Sequence, residues 1–174
     1  FKSGEFQIVP IRYKDRLDIM KWRNEQMYHL RQSKVLTEEN QEDYYKNTIS
    51  KLFAKKKPNQ LLFSFLKNNQ CIGYGGLVHI NWIDKNAEIS FIMDTQLEEK
   101  EFDKHWKRYL DLIEKVAFQN LNLHKIYVYA FDLRPNLYTI LQNNNFNKEA
   151  TLEEQCFFNG EFIDVVIHEK RNNK

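Results

Sequence analysis

The chain has 174 residues, of which 42% are hydrophobic and 14% aromatic, so its composition suits one globular domain and excludes a disordered chain. Its 26 basic and 24 acidic side chains leave a net charge of +2, which argues against general binding of nucleic acid. The longest apolar runs are too short to cross a bilayer, and Cys71 and Cys156 share no metal-ligand spacing. We therefore expect a cytoplasmic protein with no metal site, no membrane insertion and no nucleic-acid partner.

Three segments describe the expected domain organisation. Residues 1–6 lack a start methionine and are expected to be a cloning remnant or the edge of a longer chain. Residues 7–170 should form a single domain, since no repeat or long linker divides them, and residues 171–174 are a tail. The first strand contains Pro10 and suits a sheet edge, which is compatible with a homodimer or with fusion to a neighbouring domain.

The first third of the chain predicts one strand followed by two helices. Residues 6–13 alternate apolar and polar side chains, which is typical of a strand. Asp15 precedes a helical pattern and is a candidate N-cap. Thr37, with Asn40 three residues later, is the expected start of the second helix, although Asn is an imperfect capping-box partner.

The middle third predicts an antiparallel meander and a long helix. The turn "KNNQ" is rich in residues that tolerate a left-handed backbone, and the glycines of "CIGYGG" indicate a bulge or close packing. The apolar spacing after the third strand favours a helix over about 100–120. The three strands are expected within 61–66, 71–82 and 87–94.

The last third predicts a strand, a short helix and a hairpin. Residues 125–131 are β-branched and aromatic, residues 134–144 fit a short helix, and Asn159–Gly160 is a strong hairpin-turn signal. The complete order is β α α β β β α β α β β. It predicts an α/β (α+β) fold with a mixed, mostly antiparallel sheet of about six or seven strands and helices on both faces.

This order, together with four particular stretches, resembles the GNAT superfamily of N-acetyltransferases over nearly the whole chain. The stretch "IMKWRNEQMYHLRQS" is similar to the start of bacterial members that acetylate nucleotide-linked amino sugars or protein N-termini. The others are similar to the two central strands, to the helix and strand after the cofactor loop, and to the final hairpin. The four stretches are residues 19–33, 72–94, 109–131 and 141–168.

The resemblance implies a GNAT-like fold with acetyl-CoA as co-substrate, bound where two central parallel strands, 87–93 and 125–131, separate. A strand without a neighbour exposes main-chain groups that can bind the amides of the pantetheine arm. The following helix directs its N-terminus at the pyrophosphate. The implied cofactor-binding residues are Ser90, Phe91, Ile92, Met93, Lys100, Lys104 and Arg134.

Two departures from the family pattern are visible. The positions of the family's loop glycines fall on Glu99, Glu101 and Asp103, so the acidic segment 98–103 either still binds the pyrophosphate through main-chain groups and lysines or only caps the helix. The family's tyrosine, which protonates the departing thiolate, is replaced by leucine. Tyr138, on the same helical face, is a catalytic candidate that substitutes for it or else a packing residue.

The acceptor side requires a base, since a neutral amine must attack. Glu88, beside the expected separation of the strands, is the first candidate, and His79 on the neighbouring strand is the second as base or acceptor contact; either can instead be structural. The resemblance places the acceptor wall on the first helix and the loop after it, where an arginine pair beside an aromatic side chain suits a phosphorylated acceptor. The candidate substrate-binding residues are Trp22, which also fits core packing, Arg23, Asn24 and Arg31.

The resulting hypothesis is an N-acetyltransferase that acts on a primary amine of a small molecule, with a nucleotide-linked amino sugar of surface-glycan synthesis as the favoured acceptor. One alternative is acetylation of protein N-termini, as in the ribosomal-protein type. A second alternative, motivated by the acidic loop and the missing tyrosine, is a non-catalytic GNAT-like module that binds a ligand or a partner domain.

Overall fold

The computed structural model describes residues 1–172, which form one sheet with helices packed on both faces. The strands are β1 (Lys2–Ser3), β2 (Phe6–Pro10), β3 (Leu61–Lys67), β4 (Gln70–Asn81), β5 (Asn86–Met93), β6 (Lys125–Phe131), β7 (Asn147–Phe158) and β8 (Glu161–Arg171). Their order across the sheet is β1-β2-β3-β4-β5-β6-β8-β7. Neighbouring strands are antiparallel except β5 and β6, which are parallel. The mixed, mostly antiparallel sheet predicted from the sequence is confirmed, with eight strands.

The helices overlap the segments predicted from the apolar spacing, with shifts at their ends. They are α1 (Arg16–Glu25), α2 (Glu38–Tyr44), α3 (Ser50–Phe53), α4 (Thr95–Glu114) and α5 (Pro135–Asn143). A π-helical turn at Tyr45–Ile49 joins α2 to α3 without a break, and another at Lys115–Asn120 extends α4. Short 3-10 turns precede α1 and follow it, at Tyr13–Asp15 and Met27–His29.

Two apolar cores lie on opposite faces of the sheet, because successive side chains of a strand point to opposite sides. Phe65 and Phe91 belong to the larger core, under α4 and α5. Their neighbours Leu66 and Ile92 belong to the smaller core, under α1 to α3. The expected arrangement of helices on both faces is therefore present.

Local signals account for most element boundaries. Thr37 and Asn40 form a reciprocal capping box at the start of α2. Asp15 does not cap α1 through its side chain; its carboxylate accepts hydrogen bonds of 2.6 and 2.8 Å from Arg12. Asp94 caps α4, accepting from the main-chain N–H groups of residues 96 and 97, so this helix begins five residues before the predicted start at about 100.

Residues at the chain start take part in the sheet. Lys2 and Ser3 pair with Gln7 and Phe6 of β2. The prediction that β2 forms the edge of the sheet is therefore wrong, because β1 lies outside it. At the other end, Arg171 is the last residue of β8, and residues 173–174 of the expected tail lie outside the described residues.

The glycines of β4 allow very close packing against its neighbours. A Cβ atom at Gly75 would lie 2.0 Å from the Ser90 carbonyl oxygen and 2.6 Å from the Tyr109 hydroxyl. Tyr109 of α4, which is fully buried, donates a hydrogen bond of 3.0 Å to this same carbonyl. The glycine therefore makes room for a contact that fixes the backbone of β5.

Within residues 1–172, no helix combines the length and apolar character needed to cross a bilayer. The same part of the chain contains no group of three or more His, Cys, Asp or Glu side chains arranged to bind a metal ion.

Candidate active site

A cleft opens where β5 and β6 separate. The two strands pair at three positions only, Asn86 with Lys125, Ala87 with Ile126 and Glu88 with Tyr127, although both continue beyond them. A cavity of about 550 Å³ lies along the separated parts and is lined by Ser90 and Phe91, among other residues. Main-chain groups of β5 that face this cavity have no neighbouring strand. The opening has the shape required for a narrow, amide-containing ligand.

Glu88 occupies the point at which the two strands separate. Its side chain is 9% exposed and lines the cavity. Arg31 Nη2 donates a hydrogen bond of 2.6 Å to Glu88 Oε1, and His79 Nδ1 lies 2.9 Å from Glu88 Oε2. An irregularity of β4 between Val78 and Asn81, with a positive φ of 50° at His79, places the imidazole on this carboxylate.

The partners of Glu88 are themselves accessible. The side chains of Arg31 and His79 are 50% and 59% exposed. The Arg31 guanidinium lies 4.5 Å from the centre of the Tyr129 ring, which forms the opposite side of the cavity. Glu88 is thus a buried carboxylate connected to solvent through two polar side chains.

A second charged group lies between the cleft and an adjoining groove and involves Arg134, at the start of α5. Its guanidinium donates a hydrogen bond of 2.8 Å to Glu98 Oε1 and lies 3.0 Å from His29 Nδ1. The Phe102 ring covers it at 5.0 Å. The second carboxylate oxygen of Glu98 is buried without a hydrogen-bond partner.

Burial controls the ionisation of this group. Desolvation, assisted by the charge of Arg134, lowers the pKa of His29 to about 3, so the imidazole is neutral at physiological pH. Desolvation raises the pKa of Glu98, and Arg134 only partly offsets this effect. Burial likewise lowers the pKa of Arg134, which Glu98 partly restores. His29 is therefore too weak a base to remove a proton from an amine.

An open groove of about 1040 Å³ adjoins Arg134 on its outer side and contains the acidic segment predicted from the sequence. Glu101 leaves the helical conformation, with φ of −134° and ψ of 32°, and so interrupts α4. Lys104 pairs with Glu101 at 2.8 Å, and Lys100 lies on the same groove. The first main-chain N–H groups of α4 are bound by Asp94 instead of being free for a phosphate.

The cleft fits the two ends of acetyl-CoA differently. The separated strands suit its pantetheine arm, whereas a glycine-free helix start with several carboxylates does not form the usual pyrophosphate site. The groups of the groove that carry positive charge and could contact the pyrophosphate are the side chains of Lys100, Lys104 and Arg134.

The structure brings many of the sequence-predicted residues to the cleft. Arg23 lines the cavity and donates a hydrogen bond of 2.6 Å to the Tyr74 hydroxyl. The other candidates that line the cavity or the adjoining groove are Arg31, His79, Glu88, Ser90, Phe91, Lys100, Lys104 and Arg134.

Five candidates lie elsewhere. Trp22 is buried in the smaller core, so the packing alternative describes it, and Ile92 and Met93 of β5 are core residues as well. Asn24 accepts from the main-chain N–H of Leu36 and donates to its carbonyl, which fixes the loop after α1. None of the four belongs to the cavity lining.

Tyr138 is the fifth. Its hydroxyl donates a hydrogen bond of 3.0 Å to Asp132, and its ring stacks on His168 at 5.1 Å. Burial and the Asp132 carboxylate raise its pKa, which makes it a weaker acid. Tyr138 does not belong to the described lining of the cavity or of the adjoining groove, whereas Leu137, one residue earlier, lines the cavity.

His29 and Tyr129 line the cavity but were not proposed from the sequence. His29 lies between Asn24 and Arg31 in the stretch predicted to form the acceptor wall. Its place in that stretch is the sequence feature that could have identified it. Tyr129 alternates with buried residues along β6, as any strand residue does, and carries no distinguishing pattern.

Comparison with known proteins agrees with this architecture. A curated relative, spermidine N(1)-acetyltransferase of Vibrio cholerae, is 34% identical over 95 residues, or 54% of this chain and 53% of the relative. The match thus spans about half the length of each protein. The solved structure of spermidine N-acetyltransferase from Vibrio cholerae with CoA and spermine is 23% identical, has a TM-score of 0.83, and aligns over 99% of this chain and 98% of its own. A dodecameric structure of spermidine N-acetyltransferase from the same organism is 22% identical, with a TM-score of 0.76 and coverage of 97% and 95%.

The family assignment rests on a match that covers most of the chain. The family model described as the acetyltransferase (GNAT) domain matches residues 8–167. Enzymes of this family are acyltransferases that use acetyl-CoA as co-substrate. The chain belongs to the GNAT acetyltransferase domain family, as the sequence resemblance predicts.

Proposed function

We propose that this protein transfers an acetyl group from acetyl-CoA to the primary amine of a small acceptor that also carries negative charge, with Glu88 as general base. The observation that supports the proposal best is the position of the Glu88 carboxylate at the separation of β5 and β6. A base must lie within hydrogen-bond reach of the attacking amine, and the amine must reach the thioester inside this opening.

The proton follows a short path in this proposal. The acceptor nitrogen forms a bond to the thioester carbonyl carbon, the carbon–sulfur bond breaks, and the sulfur leaves as a thiolate. Glu88 accepts the proton released by the nitrogen, and His79, whose Nδ1 is 2.9 Å away and whose side chain is half exposed, relays it to solvent. Main-chain N–H groups within residues 90–93 that face the cleft polarise the carbonyl. No residue of this chain needs to be acylated.

The charge of the cavity favours an anionic acceptor. Three arginines, Arg23, Arg31 and Arg134, belong to its lining, whereas Glu88 is the one carboxylate among the described lining residues. Arg31 presents a planar guanidinium beside the Tyr129 ring, which suits a phosphate or a nucleotide. A nucleotide-linked amino sugar of surface-glycan synthesis combines an amine with such a group and remains the favoured acceptor.

A polyamine is the second candidate acceptor, because the Vibrio cholerae relatives are spermidine N-acetyltransferases. A polyamine would place two or three positive charges in a cavity that already contains arginines, which costs free energy unless Glu88 compensates them. Acetylation of a protein N-terminus is a third acceptor class. A non-catalytic module would bind acetyl-CoA without turnover or would not bind it at all.

Thiol release from acetyl-CoA tests these alternatives. The purified protein is assayed with a nucleotide-linked amino sugar, spermidine and a peptide with a free N-terminus. We expect the highest kcat/KM with the first acceptor. Turnover with spermidine alone would exclude the anionic acceptor, and acetyl-CoA binding without turnover on any amine would favour the non-catalytic module.

Replacement of the base tests the role of Glu88. We expect Glu88→Gln to lower kcat by about 10²–10⁴-fold and to leave the Kd of acetyl-CoA unchanged. Glu161→Gln, at the exposed first residue of β8, is the control variant and should behave as the wild type. Wild-type kcat in Glu88→Gln would exclude the proposed base.

A further inference from the structure

A basic surface with exposed apolar side chains lies outside the catalytic cleft. It consists of the segment Lys46–Lys57, which ends the helical region α2–α3, together with Trp82 and Ile83 in the turn between β4 and β5. A groove of about 330 Å³ crosses it and is lined mainly by apolar side chains, among them Leu52, Phe53 and Trp82.

This surface carries a local excess of positive charge. The segment 46–57 contains five lysines and no acidic residue, although the whole chain has a net charge of only +2. Lys55 and Lys56 line the groove, and Lys57 beside them is exposed. Within the described residues, the lysines that form ion pairs lie in other elements and are Lys21, Lys104, Lys125 and Lys170. The charge of the segment is therefore available to a partner.

Two large apolar side chains accompany these lysines. Phe53 is 61% exposed and Ile83 is 90% exposed. The indole N–H of Trp82 donates a hydrogen bond of 2.8 Å to the carbonyl of Pro58, which holds the lysine loop against the turn that carries Ile83. A second bond of 2.9 Å, from the N–H of Ile80 to the carbonyl of Asn59, fixes the same contact. Basic and apolar groups are thus held at one end of the molecule.

We propose that this basic surface docks on an anionic phospholipid membrane, with the lysines on the headgroups and with Phe53 and Ile83 in the interfacial layer. Lysines next to exposed apolar side chains have the chemistry required for the boundary between charged headgroups and acyl chains. A nucleic acid would use the lysines but would leave Ile83 without a role, since an aliphatic side chain cannot stack on bases as an aromatic one does. The surface is distinct from the proposed catalytic function and does not depend on it.

Vesicle co-sedimentation tests the proposal with the intact chain. We expect binding to vesicles of mixed phosphatidylcholine and phosphatidylglycerol, and none to vesicles of phosphatidylcholine alone. Removing three lysines by the triple substitution of Lys55, Lys56 and Lys57 to Gln should weaken binding by about 100-fold, since each lysine near an anionic surface contributes about fivefold. The control, in which Lys2, Lys34 and Lys148 are replaced by Gln, removes the same charge from other exposed positions.

The apolar contribution needs its own variant. Ile83→Ser alters an almost fully exposed side chain, so the fold should persist, which circular dichroism verifies. We expect it to weaken binding to the mixed vesicles but not binding to heparin, a soluble polyanion. The proposal is overturned if the wild type does not bind the mixed vesicles, if the control triple variant loses as much affinity as the first, or if Ile83→Ser binds vesicles as the wild type does.

Discussion

The Glu98–Arg134 pair predicts that the protein restricts its own affinity for the acyl donor. The perturbation is Glu98→Gln, which removes a negative charge but keeps an acceptor oxygen for Arg134. Arg134 lies between the cleft and the acidic groove, where the phosphates of the donor are expected to approach. In the wild type these phosphates must compete with the carboxylate for the guanidinium, and in the variant they do not.

The magnitude follows from the geometry and from burial. The pair is 2.8 Å apart, and both side chains are only about one eighth exposed, at 12% and 13%. Two unit charges at this distance attract each other by about 6 kcal/mol at an effective dielectric constant of about 20. Burial raises the pKa of Glu98 and Arg134 only partly offsets this, so the net strength of the pair is less than this attraction. We expect removal of the competitor to strengthen donor binding by about 1–2 kcal/mol, which is about tenfold in Kd.

Isothermal titration with acetyl-CoA measures this change. Arg134→Gln should weaken binding, and Glu161→Gln should leave it unchanged. Because protonation also discharges Glu98, wild-type affinity should rise as the pH is lowered towards its raised pKa, whereas the affinity of Glu98→Gln should not follow that trend. A folded Glu98→Gln protein with the same or weaker affinity for acetyl-CoA would refute the competition.

Three further predictions concern stability and the role of Tyr138. The pKa of His29 is about 3 in the folded state and about 6.5 in the unfolded state, so its contribution to stability is complete above pH 6.5 and is lost as the pH falls towards 3, by up to about 1.4 kcal/mol per pH unit. The thermal unfolding temperature of His29→Gln should therefore depend less on pH than that of the wild type. The same pH dependence in both proteins would contradict the burial argument. Gly75→Ala places a Cβ 2.0 Å from the Ser90 carbonyl oxygen and should lower the free energy of unfolding by about 3 kcal/mol, as measured by urea denaturation. An unchanged urea midpoint would show that β4 relaxes to accommodate the Cβ. Tyr138→Phe should retain the wild-type kcat and lose about 1 kcal/mol of stability, because its hydroxyl binds Asp132; a large fall in kcat would return Tyr138 to the reaction.

Local patterns were sufficient for most of the fold. The period-2 alternation, the Asn-rich turns and the Thr37–Asn40 box act between residues close in sequence, so their interpretation needs no knowledge of distant segments. The apolar spacing predicts a late start for α4 because it does not include the cap at Asp94. It predicts no strand at β1, because two residues give no periodicity.

The site was less accessible to sequence reasoning, because it joins segments far apart in the chain. His29 and Arg134 are 105 residues apart, and no local pattern pairs them. Trp22 fits both the apolar face of α1 and the family-like stretch at the acceptor wall, so the sequence allows a packing role or a substrate-binding role. The packing of the smaller core, which contains Trp22, distinguishes these two roles. The order of strands predicts Glu88 and His79 on neighbouring strands, and their side chains lie 2.9 Å apart in the structure.

The break in α4 at Glu101 has a mechanical consequence for the cleft. The helical turns before it carry Glu98, while the turns after it carry Tyr109, whose hydroxyl anchors the strand along which the donor would lie. Because the non-helical φ and ψ at Glu101 kink α4, the turns that carry Glu98 point in a different direction from the turns that carry Tyr109. The carboxylate that pairs with Arg134 and the strand along which the donor would lie are therefore positioned by two differently oriented segments of one helix.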